Sequence, residues 1–337
     1  MGTLFLGATA GSSATPSYNN LIGSNLPAIQ TTGNVYYVDP VNGSDSNGGV
    51  SPASSMLTLA AAFALTVDGH NDVVALIANG LTSGAARLSA NFAWNKNATH
   101  LVGICPPGRV SLRARIAPAL SGSNSVAAFA NFFTVSGNGC FFSNVEFYQG
   151  FTTGIAAEIC LTVTGGRNVF RNVHIAGMND AVGANDTGSR NLLVSGSTGE
   201  NLFEKCTIGD DSTARTALNA SVEFASYAVR NIFEDCIFPA YVTGSGTAAL
   251  IIYAAATHTL DRWTLFKQCR FLNSATKAGG ALMAALATLG AATGGEVLLD
   301  NCQATGITAI YSDSATQNQI YLSGPVQAQV LAMVLPS

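Results

Sequence analysis

Apolar residues along this chain come in short pieces of four to seven, rich in Val, Ile, Phe and Thr and cut by Gly, Asn, Asp and Ser. An amphipathic helix would repeat apolar positions at i, i+3, i+4 and i+7 over ten or more residues, so these pieces predict strands. One phrase returns: "NLFEKCTI" (201–208), "NIFEDCIF" (231–238) and "TLFKQCRF" (264–271). Aligned on an apolar residue, then Cys or Val three later, then an apolar residue two beyond that, six copies emerge. They are Phe142/Val145/Phe147, Phe170/Val173/Ile175, Phe203/Cys206/Ile208, Phe233/Cys236/Phe238, Phe266/Cys269/Phe271 and Leu299/Cys302/Ala304. Their lead positions are 28, 33, 30, 33 and 33 residues apart. A fixed period of that size marks a solenoid.

Upstream of each phrase lies a second apolar piece, at 132–137, 159–166, 191–197, 221–227, 248–254 and 281–286. Each period thus supplies two clear strands and a weaker third. One turn of chain per period, bonded to the turn below at about 4.8 Å, is a parallel β-helix, so the fold class is all-β. Equivalent positions then stack: Phe170, Phe203, Phe233 and Phe266 are predicted to form one inward column, and Cys206, Cys236, Cys269 and Cys302 another. A buried free Cys serves there as a small hydrophobe. Asn168, Asn201 and Asn231 recur just before the phrase and predict a corner, where Asn tolerates left-handed backbone and bonds from coil to coil.

Residues 1–33 carry no charged side chain and no core pattern, and read as an extended arm that orders against something else. A strand and turn cluster follow at 34–52, then a predicted helix over 53–67 with Met56, Leu59, Phe63 and Val67 on one face. Such a helix would cover the open first coil, blocking end-to-end aggregation. Strands at 72–80 and 100–112 begin the stack. The expected organisation is an arm at 1–33, a β-helix at 34–323 with an N-terminal cap at 34–70, and a C-terminal cap or inter-subunit tail at 324–337.

The order "YYVDPVNGSDSNGG", "LTLAAA", "DVVALIANG" and "LVGICPPG" resembles the opening of the pectate-lyase-like right-handed parallel β-helix proteins, from residue 34 to about 310. That family includes carbohydrate-active enzymes and many bacteriophage virion proteins. The resemblance therefore implies a right-handed helix, and its phage branch implies a capsid-decorating or head-fibre protein on the particle exterior. Residues 1–33 would bind the major capsid protein or another virion protein, the chain would be a homotrimer, and a host-surface glycan would be a further partner. A tailspike-like polysaccharide-binding or depolymerase protein is the alternative.

Charge and chemistry narrow this picture. A net charge of −4 with 10% charged residues gives no basic footprint for nucleic acid or an anionic membrane. The longest apolar runs fall short of the roughly 20 residues a membrane helix needs, and the first residues lack the basic stretch of a secretory signal, so synthesis in a cytoplasm is expected. Seven Cys, an odd number without a CxxC pair, suggest neither a disulfide framework nor a zinc site. No cofactor is implied. The Asn-Thr-Asp, paired-Asp and Gly-His-Gly motifs of polygalacturonase-like enzymes are not apparent.

Glu204 and Glu234 occupy matching positions as paired glycosidase acids would, but Arg171 and Lys267 flank them in the same row, which reads as a charge-balanced outer face. Asp210 and Asp211 form an isolated acidic pair in a turn, too few oxygens for Ca²⁺. Asp39 and Asp45, with Asn42 and Asn47, are a weak cation candidate better explained by turn formation. His174 is expected to face outward as a surface histidine.

Overall fold

The computed structural model describes residues 31–119, 126–151, 154–243, 249–254, 260–290 and 294–323. The arm beyond its last three residues, and the tail at 324–337, lie outside the described residues. The rest is a right-handed parallel β-solenoid with three sheets running its length. The first sheet stacks Val35–Val38, Val73–Ile77, His100–Ile104, Phe141–Ser143, Val169–Arg171, Leu202–Glu204, Ile232–Glu234, Leu260–Lys267, Gly295–Asp300 and Ile320–Ser323. The second runs through Glu146–Tyr148, His174–Ala176, Thr207–Ile208, Ile237–Ala240, Arg270–Asn273 and Gln303–Thr305. The third includes Asn131–Val135, Ile159–Val163, Arg190–Ser195, Ala220–Ala225, Leu250–Ala254 and Ala287–Leu289.

The repeated phrase is two strands joined by a corner. Phe203 points inward from the first sheet, Lys205 turns the chain, and Cys206 and Ile208 point inward again from the corner and the second sheet. In an unbroken strand inward positions fall every second residue. The spacing of three between Phe and Cys arises because one left-handed residue is inserted: Asn144, Asn172, Lys205, Asp235, Gln268 and Asn301 all have φ between 50° and 57°. Such backbone costs a non-glycine residue about 1–3 kcal/mol and is imposed here by the pairing on either side.

Register puts Phe142, Phe170, Phe203, Phe233 and Phe266 directly above one another. Ring centroids are 4.8, 4.7, 4.6 and 4.6 Å apart, with interplanar angles of 8° or less. The rings are fully buried, and the coil spacing itself sets their separation. Beside them, each thiol of Cys206, Cys236, Cys269 and Cys302 donates to the carbonyl of the Phe one coil back, at 3.2 to 3.3 Å. Cys thus fills space as Val145 and Val173 do and also satisfies a backbone acceptor. Burial, reinforced by the neighbouring thiols, pushes Cys236 up and keeps it a neutral thiol.

The Asn column lies one residue past its corner. Asn168, Asn201 and Asn231 are buried, while the left-handed residues are Arg167, Glu200 and Arg230. Each Asn accepts a backbone N–H from the preceding coil: Cys140 to Asn168 (2.8 Å), Asn168 to Asn201 (3.0 Å) and Asn201 to Asn231 (3.2 Å).

One helix and one strand expectation shift. The helix predicted over 53–67 forms only at Leu59–Leu65, because Thr58 caps its start by accepting from Ala61 and Thr66 closes its end. Met56 is buried in a bridge to Val38, whereas Val67 is 53% exposed. Leu59, Ala62 and Phe63 cover the first coils, with Phe63 against Trp94 at 4.4 Å. At the other end, the strand sought at 281–286 lies at Ala287–Leu289, where it pairs with Ile252–Ala254.

These columns predict that Phe233→Ala destabilises the protein by about 3–5 kcal/mol, since the cavity lies between rings that cannot collapse onto it. Lys205→Val costs about 1–3 kcal/mol, while Lys205→Gly is neutral or stabilising. Urea melts followed by circular dichroism give both values.

Candidate functional site

The outer row of the first sheet is Arg171, Glu204, Glu234, Lys267 and Asp300. Glu204 and Glu234 are neighbours, yet each is held by a cation on its far side: Arg171 Nε lies 2.7 Å from Glu204 Oε2, and Lys267 Nζ 2.8 Å from Glu234 Oε1. A second row binds Glu200 between Arg167 (2.9 Å) and Arg230. On the third sheet Arg190 Nε meets Glu223 Oε2 at 2.7 Å and its guanidinium lies 4.8 Å from the Tyr253 ring. A coil-to-coil rule generates the first two: residues one period apart touch, so opposite charges at that spacing neutralise each other, whereas Arg190 reaches diagonally, since its own register partner is Ala220 and that of Glu223 is Leu193.

Asp210 and Asp211 stand elsewhere, after the second sheet. Asp210 accepts the Ser212 N–H at 2.6 Å, and Asp211 bonds Ser274 Oγ at 3.3 Å. The structure does not bring them to Glu204 and Glu234. Asp39 spends its oxygens on Val41, Asn42 N–H and Asn42 Nδ2, at 2.9 to 3.1 Å. Partial burial pushes its carboxyl up, but those bonds outweigh it and hold it below the ordinary range. Asp45 ties the turn to the capping helix through Leu57 N, Thr58 N and Thr58 Oγ1. Oxygens facing N–H donors are not presented to a cation, and no group of three or more His, Cys, Asp or Glu is arranged for a metal among the described residues.

Three features were not visible in the sequence. The first lies on the second sheet, where Arg115, Glu146 and His174 align. His174 does point away from the core, but it is 1% exposed, because residues 105–112 lie over it. Its Nδ1 accepts Ser111 N–H at 3.1 Å and its Nε2 lies 3.0 Å from Gly209 O, which assigns the proton to Nε2. Glu146 Oε2 is 3.0 Å from Arg115 Nε. This is a closed, satisfied network, and an alternation of polar residues gave no signal for the covering segment.

The second is a buried acid pair in the loops between the second and third sheets. Glu158 is fully buried with neither oxygen bonded, and Asp180 beside it has one unpartnered oxygen while the other caps Val182 and Gly183. Burial, then the Asp180 charge, push the Glu158 carboxyl up to about 9. The third is an open polar groove of about 320 Å³ on the corner between the first and second sheets, bordered by Asp235, Gln268, Arg270, Asn301 and Gln303.

No protein-family model matches the sequence, and no curated protein matches it. Solved structures do. The pectin methylesterase PemA from Erwinia chrysanthemi aligns with a TM-score of 0.56 at 13% identity, over 89% of this chain and 92% of that one. The Escherichia coli protein YbhC gives 0.57 at 15%, over 96% and 90%. Pectate lyase Pel9A gives 0.54 at 17%, over 81% of this chain and 63% of its own. The shared fold is the right-handed parallel β-helix. At these identities the likeness is one of fold.

Glu158 generates a pH prediction. Its folded value is raised, so the unfolded chain ionises first, from the ordinary 4.5, while the folded chain keeps its proton until about 9. Stability from this group is complete below 4.5 and falls as pH rises through that window, by up to about 1.4 kcal/mol per pH unit. Urea midpoints measured across the window should fall less steeply for Glu158→Gln than for the wild type.

Proposed function

We propose that the chain is a non-enzymatic structural protein of a bacteriophage particle, a capsid-decorating or head-fibre protein, trimeric and attached through residues 1–33. The observation that carries the non-catalytic part is that Glu200, Glu204, Glu223 and Glu234 on the outside of the coils, and the buried Glu146, each pair with a cation. Paired glycosidase acids need one carboxyl protonated and the other free to attack or to activate water, which these pairs oppose by favouring the charged, bound form. The same pairs, the stacked rings and the Asn column make a stiff rod suited to standing outside a cell. The virion setting is carried by the resemblance of residues 34 to about 310 to a family with many phage members.

The second reading is a polysaccharide-binding or depolymerase protein, favoured by the fold likeness to pectin methylesterases and a pectate lyase. Mass analysis and imaging of purified particles test the first reading: a copy number in the hundreds on the shell is expected, and absence from the particle contradicts it. Incubating the pure protein with pectin or capsular polysaccharide tests the second. New reducing ends, unsaturated ends or released methanol would overturn the non-enzymatic assignment.

A further inference from the structure

The corner between the first and second sheets forms a trough down the side of the rod, floored by the left-handed column Asn144, Asn172, Lys205, Asp235, Gln268 and Asn301. Its upper part is filled by the chain itself. Residues 105–112, "CPPGRVSL", leave the first sheet where Asn144 Nδ2 holds Gly103 O (3.0 Å) and Cys105 O (2.8 Å), and a side chain at Gly103 would strike Asn144 O at 2.0 Å. The strap then lies over His174, which accepts Ser111 N–H, and Arg109 reaches three coils along the column to the carboxylate and carbonyl of Asp235. There it stops.

Beyond Asp235 the same trough carries no side-chain bond among the described residues. Gln268, Arg270, Asn301 and Gln303 are all exposed, and none of their side chains bonds or pairs with another described residue. That contrasts with the neighbouring rows, where charges one period apart are neutralised. Three amides, each offering donors and an acceptor, match the alternating N–H and C=O groups of an extended main chain. The unpaired guanidinium of Arg270 matches a carboxylate, through its planar fork.

We infer that this open stretch is a docking site for an extended peptide segment of a partner protein that carries an acidic side chain. The strap supplies the internal precedent, with the charges exchanged: its Arg meets Asp235, and the partner's carboxylate meets Arg270. The inference is independent of the virion reading, since the trough's geometry is the same on any support.

The test uses the full chain, isotope-labelled, and two blocked hexapeptides built on the strap sequence: acetyl-Ser-Pro-Pro-Gly-Glu-Val-amide and its counterpart with Arg in place of Glu. The acidic peptide is expected to shift the side-chain amide signals of Gln268, Asn301 and Gln303 saturably. Arg270→Gln should weaken it roughly tenfold with the thermal midpoint unchanged, and Gln303→Ala should weaken it also. The proposal is overturned if neither peptide moves these signals at millimolar concentration, or if both move them equally. It is overturned too if an acidic oligosaccharide shifts the same amides while the peptides do not.

Discussion

The whole structure depends on the parallel hydrogen-bonded stacking of each coil on the one before, with like residues in register. Once Phe170 lies over Phe142 and under Phe203, every other column follows, because the backbone spacing that sets ring separation also sets the distance between side chains of the Asn, Cys and charged rows. Backbone polar groups in such a stack find partners up and down the axis, and the side chains that interrupt the pattern repair it. Asn168, Asn201 and Asn231 take N–H groups at one corner, and the Cys thiols take Phe carbonyls at the next. The stack also explains why charges on the surface are spaced by one period.

Much of this was legible in the sequence, for a definite reason. A period near thirty with Phe and Cys at fixed offsets can only be used by a fold that brings equivalent positions together, and Glu204 and Glu234 between Arg171 and Lys267 are placed as an outer row should be. The corner was harder. In "FEKC" the left-handed residue is Lys205 and in "FKQC" Gln268, neither a residue that announces positive φ, although Asn144, Asn172, Asp235 and Asn301 in the same column are of the types that tolerate it. Their conformation is dictated by pairing on both sides. The local traces are those Asn and Asp residues and the spacing of three between inward residues, which a reading of the phrase as one strand passes over. For the same reason the third strand of each coil was hidden inside the phrase.

The polar features missed are those made by contacts between distant parts of the chain. Residues 105–112 bury His174 from 63 positions away in the case of Ser111, and Arg109 meets Asp235 across 126. Glu158 and Asp180 carry no periodic signal, and they are buried by the connections between sheets. Periodicity reports which residues share a column and says nothing of what a loop lays on top of it. The periodic part builds a stiff, charge-balanced rod, whereas the strap at 105–112 and the buried acid pair are aperiodic additions made by the connecting segments.

Cysteine cross-linking along the outer row tests the coil register most directly. In a Cys105→Ser background, whose remaining thiols are buried, paired Cys substitutions are placed at positions 204 and 234, at 234 and 267, and at 204 and 267, then oxidised under mild conditions. Neighbouring coils bring the first two pairs within disulfide reach, while the third is separated by two coil spacings, about 9.6 Å, too far for a bond. Efficient closure of 204–234 and 234–267 with none of 204–267 is the predicted result. Equal closure of all three, or failure of both neighbouring pairs, would contradict the stacked columns on which everything else rests.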